Sequence, residues 1–152
     1  MKKITLISST GGHWSQITEL YKILNEKNHV LEIITEKNNT NKDKKNIIFL
    51  RQQDRKNKYF IFILVANILN SLRLVIKRRP NYVISTGAGV TLPYLLFAKL
   101  FGAKIIFIES FAKINSPTIT GRIVYKFADE FFVQWPEMLE YYPKALYKGS
   151  LY

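Results

Sequence analysis

Six short apolar runs punctuate the chain: 3–8 (KITLIS), 30–35 (VLEIIT), 47–50 (IIFL), 82–85 (YVIS), 104–108 (KIIFI) and 131–134 (FFVQ). Their length and their Ile, Val and Phe content are those of buried strands. Between them the period changes. In 15–27, Ile17, Leu20, Tyr21 and Leu24 fall at i, i+3, i+4 and i+7 and mark one helix face. Residues 91–101 and 118–128 repeat that behaviour, and Gly102 stands where a helix C-cap belongs. The Asn/Lys-rich stretch 37–46 reads as a solvated loop. Alternation of strand and helix predicts an α/β fold, a Rossmann-like parallel sheet with helices on both faces, in one domain over 1–152.

One stretch fits this frame poorly. Residues 59–76, YFIFILVANILNSLRLVI, are about one membrane thickness long. Asn67, Asn70, Ser71 and Arg73 interrupt them, which disfavours a spanning helix. The reading is a helix that dips into an anionic leaflet from the cytoplasmic side, with a core helix as the alternative. Charge sharpens it. The chain of 152 residues carries a net charge of +12. Basic residues gather at 42–58 (Lys42, Lys44, Lys45, Arg51, Arg55, Lys56, Lys58) and at Lys77-Arg78-Arg79, on either side of the apolar stretch. Phe60, Phe62, Ile63, Arg78 and Arg79 are the expected membrane contacts. Nucleic acid also attracts such charge, but no helix-turn-helix, zinc-finger, RNP or KH signature is present, and no nucleic-acid partner is expected. The chain has no cysteine, which excludes disulfides and thiolate metal sites and suits a reducing cytoplasm. No metal site and no cofactor are expected. The N-terminal run breaks at Ser8 before an h-region is complete, so it reads as a strand and not a signal peptide.

Ligands of such sheets gather at the carboxyl ends of the strands. Three loops there are unusual: Ser9–Trp14 (STGGHW), Thr86–Thr91 (TGAGVT) and Glu109–Pro117 (ESFAKINSP). Gly11 and Gly12 permit a sharp turn with open amides near a helix start, a place that favours anions. The dinucleotide fingerprint G-x-G-x-x-G and the Walker pattern both fail here. A plain βα turn, capped by Thr10 or Ser15, remains an equal reading. His13 at this edge is either a general base or a loop histidine bonded to backbone. Thr86, Gly87 and Gly89 form a second glycine loop before a helix that Pro93 opens. Glu109 and Ser110 end the strand at 104–108; a carboxylate there binds hydroxyls, orients a base, or caps local structure. Arg122 either meets a phosphate or stays a surface residue.

"SSTGGHWSQITEL", "VISTGAGVTLPYLLFAKLFGAKIIFIES" and "SPTITGRIVYKFADEFFVQWPE" together resemble the membrane-associated subunit of two-component UDP-sugar glycosyltransferases. These are bacterial capsular and exopolysaccharide proteins similar to the anchor subunit of the eukaryotic dolichol-linked chitobiose N-acetylglucosaminyltransferase. The resemblance runs along nearly the whole chain. It implies the N-terminal, acceptor half of a GT-B glycosyltransferase, with the UDP-sugar held by a donor-binding subunit on a separate chain. By the same resemblance, His13 is the candidate base and Gly11 and Gly12 shape its loop. Gly87 and Gly89 approach the pyrophosphate of a polyprenyl-pyrophosphate-linked saccharide. Glu109 is the acidic residue of the third loop, although Ile108 and Ser110 replace the flanking histidine and asparagine of the peptidoglycan enzyme.

The expected function is therefore that of a subunit in hexosyl or N-acetylhexosaminyl transfer during capsular or exopolysaccharide synthesis, inactive alone. Its expected place is the cytoplasmic face of the cell membrane, as a peripheral protein. A non-catalytic membrane scaffold that recruits a soluble transferase is the alternative. A free-standing nucleotide-binding enzyme is the third, weakened by the failed fingerprints.

Overall fold

Seven parallel strands form one sheet in the order β3-β2-β1-β4-β5-β6-β7. They are β1 Lys3–Ser8, β2 Val30–Glu36, β3 Ile47–Leu50, β4 Tyr82–Gly87, β5 Lys104–Ile108, β6 Glu130–Val133 and β7 Leu146–Tyr147. The helices are α1 Gly12–Asn25, α2 Phe60–Arg78, α3 Leu92–Leu100 and α4 Ile119–Val124. This computed structural model describes residues 2–25, 30–39, 41 and 47–151. Lys42, Lys44 and Lys45 of the first basic cluster, most of the expected 37–46 loop, and the end of the expected 15–27 helix lie outside the described residues.

All six expected strands form, and β7 adds a pair too short to leave a pattern in sequence. Two helices differ from expectation. Helix α1 begins at Gly12 and not at Ser15, because Gly11 turns at φ +74° and its carbonyl already accepts from Ser15 N. His13 and Trp14 therefore sit in the first helical turn. The stretch 118–128 yields only α4: Thr118 caps it by accepting from Gly121 N, and the backbone of 125–128 folds back onto Gly121, Ile123 and Val124.

The pleat divides the core in two. Ile4, Leu6 and Ile33 point to one face and pack with Ile17 of α1. Ile7, Ile34, Val83, Ile105 and Phe107 point to the other, under Val75 of α2, Tyr94, Leu95 and Ala98 of α3, and Val124 of α4. Tyr94 meets Thr5 Oγ1 at 3.3 Å, and burial pushes its phenol up to about 12. Asp129 ties α3 to the sheet by accepting from Lys99 Nζ and Ile105 N, both at 2.7 Å. Burial alone would raise its pKa, but these two donors and the charges of Lys99 and Lys104 hold it below the usual carboxylate value.

Helix α2 is turned against the usual rule. Its buried residues are Asn67, Ser71 and Val75. Ile61, Phe62, Val65, Leu69 and Ile76 face outward, Phe62 at 74% exposure. Only 22% of its most apolar window is buried, so it is not an ordinary core helix. The cause is Asn67. Its Oδ1 accepts from Arg51 N at 3.0 Å and its Nδ2 donates to Arg51 O at 2.8 Å. It thereby satisfies the chain as it leaves β3, where no strand continues. Leu96, Leu100 and Phe101 of the α3 region and Ile119 of α4 extend the exposed apolar layer on the same side of the sheet.

The expected membrane contacts differ in exposure. Phe62 and Arg79 are exposed, but Phe60 and Ile63 are half-buried. Arg78 turns back to the sheet and pairs with Glu32 at 2.9 Å, so its charge is already engaged. Ile61, Val65, Leu69 and Ile76 present the apolar surface instead.

Replacing Asn67 with Leu should destabilise the domain by about 2 kcal/mol or more, because Arg51 N–H and C=O lose their partners. Phe62→Ser should stay within about 0.5 kcal/mol of the parent, as an exposed position does. Urea denaturation of both variants checks the pair; an unaffected Asn67→Leu would refute the assigned role.

Candidate functional site

The strand order reverses between β1 and β4, so their carboxyl ends open a crevice that neither flanking connection crosses. The first two glycine loops meet there. Ser9 N donates to Gly87 O at 2.8 Å, and Thr86 Oγ1 donates to His13 O at 3.0 Å. His13 Nδ1 closes the latch on Thr86 O. A carbonyl only accepts, so Nδ1 carries the hydrogen and the neutral ring keeps its lone pair on Nε2. Gly87 turns at φ +98°, and a Cβ there would stand 3.2 Å from His13 Cε1. The glycine thus serves both the turn and the packing of the imidazole. Ser85 Oγ accepts from Gly87 N at 3.1 Å, and Thr91 Oγ1 donates to Ala88 O at 2.7 Å, which stiffens the second loop.

Glu109 lies elsewhere, 1% exposed. Its Oε1 accepts from Ser110 N at 2.8 Å and Thr118 Oγ1 at 2.9 Å; its Oε2 accepts from Thr118 N at 3.2 Å and Tyr142 Oη at 2.6 Å. These donors enclose the carboxylate, which is a structural knot and not the substrate-facing group the sequence suggested. The knot joins the third loop to α4 and to the C-terminal segment. Burial first, then the bond to Glu109, pushes the Tyr142 phenol far above its ordinary range, so it stays a donor. Gly121 is required beside it: a Cβ would collide with Glu109 Oε2 and stand 2.6 Å from Tyr142 Oη. Ser110 contributes its backbone N–H here, and Arg122 stays exposed.

A cavity of about 680 Å³ opens between the crevice and the α2–α4 layer. Ser9, Ala88 and Gly89 form its floor, and Leu92 lies at the start of α3. Phe60 and Leu64 of α2 and Ile119 and Ile123 of α4 also line it. Arg55 and Lys113 bring cations to its rim, and Glu36 and Gln53 complete the polar side. Glu36 Oε1 accepts from Gln53 N at 2.8 Å. Of the glycines and threonine expected to bind acceptor phosphate, only Gly89 lines this space. Gly11 and Gly12 are exposed and do not line it, and Thr86 and Gly87 are buried. Arg55 and Lys113 escaped the sequence reading. Arg55 was submerged in a basic run, and Lys113 lay within the third loop, where its position past the carboxyl end of β5 was the available signal. No cluster of His, Asp or Glu able to hold a metal occurs among the described residues.

Tyr142→Phe removes a hydrogen bond to a buried carboxylate and should cost about 1.5–3 kcal/mol. Gly121→Ala should cost more, since three groups must move. Thermal melts of both variants check this, and a Gly121→Ala protein as stable as the parent would refute the knot.

A family model described as "Oligosaccharide biosynthesis protein Alg14 like" matches residues 4–151. The UDP-N-acetylglucosamine transferase subunit ALG14 of Yarrowia lipolytica is 28% identical over 174 residues, 98% of this chain and 81% of its own length. Among solved structures, MurG of Acinetobacter baumannii superposes with TM-score 0.71 at 19% identity, over 89% of this chain and 42% of its own. UDP-N-acetylglucosamine 2-epimerase of Rickettsia bellii gives TM-score 0.74 at 14% identity, over 99% and 45%. At these identities the likeness is one of fold, and this chain spans less than half the length of either structure. Its Rossmann-like sheet is that shared architecture, and with the family pattern running from residue 4 to residue 151, the chain belongs to the Alg14-like family of oligosaccharide biosynthesis proteins.

Proposed function

We propose that this chain is the acceptor-side subunit of a heteromeric glycosyltransferase acting at the cytoplasmic face of the membrane. A partner chain binds the UDP-sugar. This chain presents a polyprenyl-pyrophosphate-linked saccharide, in capsular or exopolysaccharide synthesis, and holds the partner at the bilayer. The observation that carries the reading is the placement of the His13 latch and the amphiphilic cavity on one sheet edge, beside an exposed apolar helix layer. The Alg14-like membership and the transferase named for the Yarrowia relative support it.

Transfer with inversion needs little from this chain beyond position and a proton acceptor. The acceptor hydroxyl oxygen attacks the anomeric carbon as the bond to UDP breaks, and UDP leaves with the electron pair. The hydroxyl proton passes to His13 Nε2, which carries the lone pair in the tautomer that donates from Nδ1 to Thr86 O. Gly11 and Gly12, exposed next to His13, leave room for the saccharide end of the acceptor.

The exposed residues of α2 also favour a second reading, a scaffold that only recruits a soluble transferase. Co-expression with the partner, followed by a transfer assay on a soluble acceptor analogue without membranes, separates the two. A cleft-completing subunit still stimulates transfer there; a scaffold does not. In that assay His13→Ala should lower kcat by about 10²-fold or more, as loss of a general base does. Full activity of His13→Ala would remove the base from the mechanism, and a partner indifferent to this chain would remove the subunit reading.

Membrane attachment has its own test. Phe62→Asp combined with Leu69→Asp should abolish flotation with phosphatidylglycerol vesicles while leaving the melting temperature of the chain unchanged, since both side chains are exposed.

A further inference from the structure

The sequence sets Thr86 among the residues expected to meet acceptor phosphate, but its side chain is buried and already committed. Successive side chains of β4 point to opposite faces of the sheet. Ser85 Oγ donates to Thr91 Oγ1 at 3.3 Å, ahead of α3. Thr86 Oγ1 donates instead to His13 O of α1, at 3.0 Å. The carbonyl of the same threonine accepts from His13 Nδ1. Two bonds therefore join one pair of residues, one through the His13 backbone and one through its ring.

Only one of the two depends on the side chain at 86. Any residue there offers the carbonyl; the hydroxyl needs threonine or serine, and the β-branch of threonine restricts it to few rotamers. The ring rests on Gly87 by its Nδ1–Cε1 edge. A Cβ built on that glycine would stand 3.2 Å from Cε1 and 3.4 Å from Nδ1, but 3.9 Å from Nε2. The bond to His13 O sets the first turn of α1 over this glycine, and with it the distance across which Nδ1 reaches Thr86 O. About one turn further along, Gln16 Nε2 donates to Gln134 Oε1 at 3.0 Å, with both side chains buried. That bond seats α1 independently of Thr86. Loss of the hydroxyl thus loosens the ring and leaves the helix in place.

We propose that Thr86 is the positioning residue of the candidate base: its hydroxyl holds His13 where Nδ1 donates to Thr86 O and Nε2 stays free to take a proton. The assignment rests on the reading of His13 as the base and adds the group that orients it. Which imidazole nitrogen is free is set by the bond that the other one makes. A base also works only within hydrogen-bond reach of its proton, and a misplacement of about 1 Å costs up to about 10²-fold in rate. Thr86 is buried and touches no substrate, so its removal acts on the chemical step and not on acceptor binding.

Thr86→Val keeps the shape and the carbonyl and removes the hydroxyl. In the co-expressed complex it should lower kcat by about tenfold or more, while KM for the soluble acceptor analogue stays within about twofold. Thr86→Ser, which restores the hydroxyl, should recover most of the rate. The ring reports separately. The chain has two histidines, His13 and His29, so isotope-labelled histidine gives a spectrum that His13→Ala assigns. Long-range proton–nitrogen correlation, at alkaline pH where free histidine is neutral, reads the tautomer in the full chain. The parent should carry the hydrogen on Nδ1, and Thr86→Val should show a mixture with the Nε2–H form. Unchanged kcat in Thr86→Val, an unchanged tautomer, or a Thr86→Ser complex no faster than Thr86→Val overturns the proposal. So does a Thr86→Val chain that gives no melting transition, since the hydroxyl then serves stability alone. In each of these cases an impaired His13→Ala complex leaves the base reading standing. Full activity of His13→Ala removes the base and its positioning residue together.

Discussion

Asn67 decides which way the longest helix faces, and much of the surface follows from that. β3 is the edge strand of the sheet, and Arg51 just after it has a backbone N–H and C=O to be satisfied. A buried unpaired backbone group is expensive, and one side-chain amide serves both. Turning α2 by half a turn would bury Phe62 and Leu69, but it would strand Arg51 and expose Val75, which belongs to the core. The sheet takes the polar stripe, and the apolar stripe is left outside. An exposed layer of Ile, Leu and Phe is thus a consequence of hydrogen bonding at the sheet edge.

That orientation also builds the cavity. Phe60 and Leu64 are on α2, and they share the cavity lining with Ile119 and Ile123 because α4 is fixed nearby. The fixing is done by Glu109, whose carboxylate gathers Ser110, Thr118 and Tyr142 around the start of α4. A glycine at 121 lets these groups close in. The two polar knots, one at Arg51 and one at Glu109, hold the walls, while the His13–Thr86 latch holds the floor loops together. Each of the three sits at the carboxyl edge of the sheet, where strand ends leave backbone groups open.

The strands were legible because buried parallel strands need continuous apolar runs, and the runs at 3–8, 30–35, 47–50, 82–85, 104–108 and 131–134 all became strands. The glycine loops were legible because strand ends on this sheet must turn. Other features left no local trace. The start of α1 moved because a single carbonyl, that of Gly11, accepts from Ser15 N about one turn before the expected start. Arg78 was read as a lipid contact from its neighbours Lys77 and Arg79, but Glu32 on a distant strand claims it. Glu109 was read as chemistry because a carboxylate at a strand end is suggestive; its donors come from residues up to Tyr142, far along the chain.

The amino-acid sequence by itself determined the α/β alternation, the family pattern, the basic-flanked apolar helix and the glycines at the sheet edge, because each of these is written in local periodicity or spacing. Tertiary structure alone decided which side of α2 meets solvent, which carboxylate is enclosed, and which cations reach the cavity. Those outcomes depend on partners distant in the chain, and a pattern of neighbours along a sequence carries no information about which distant donor will satisfy a given acceptor.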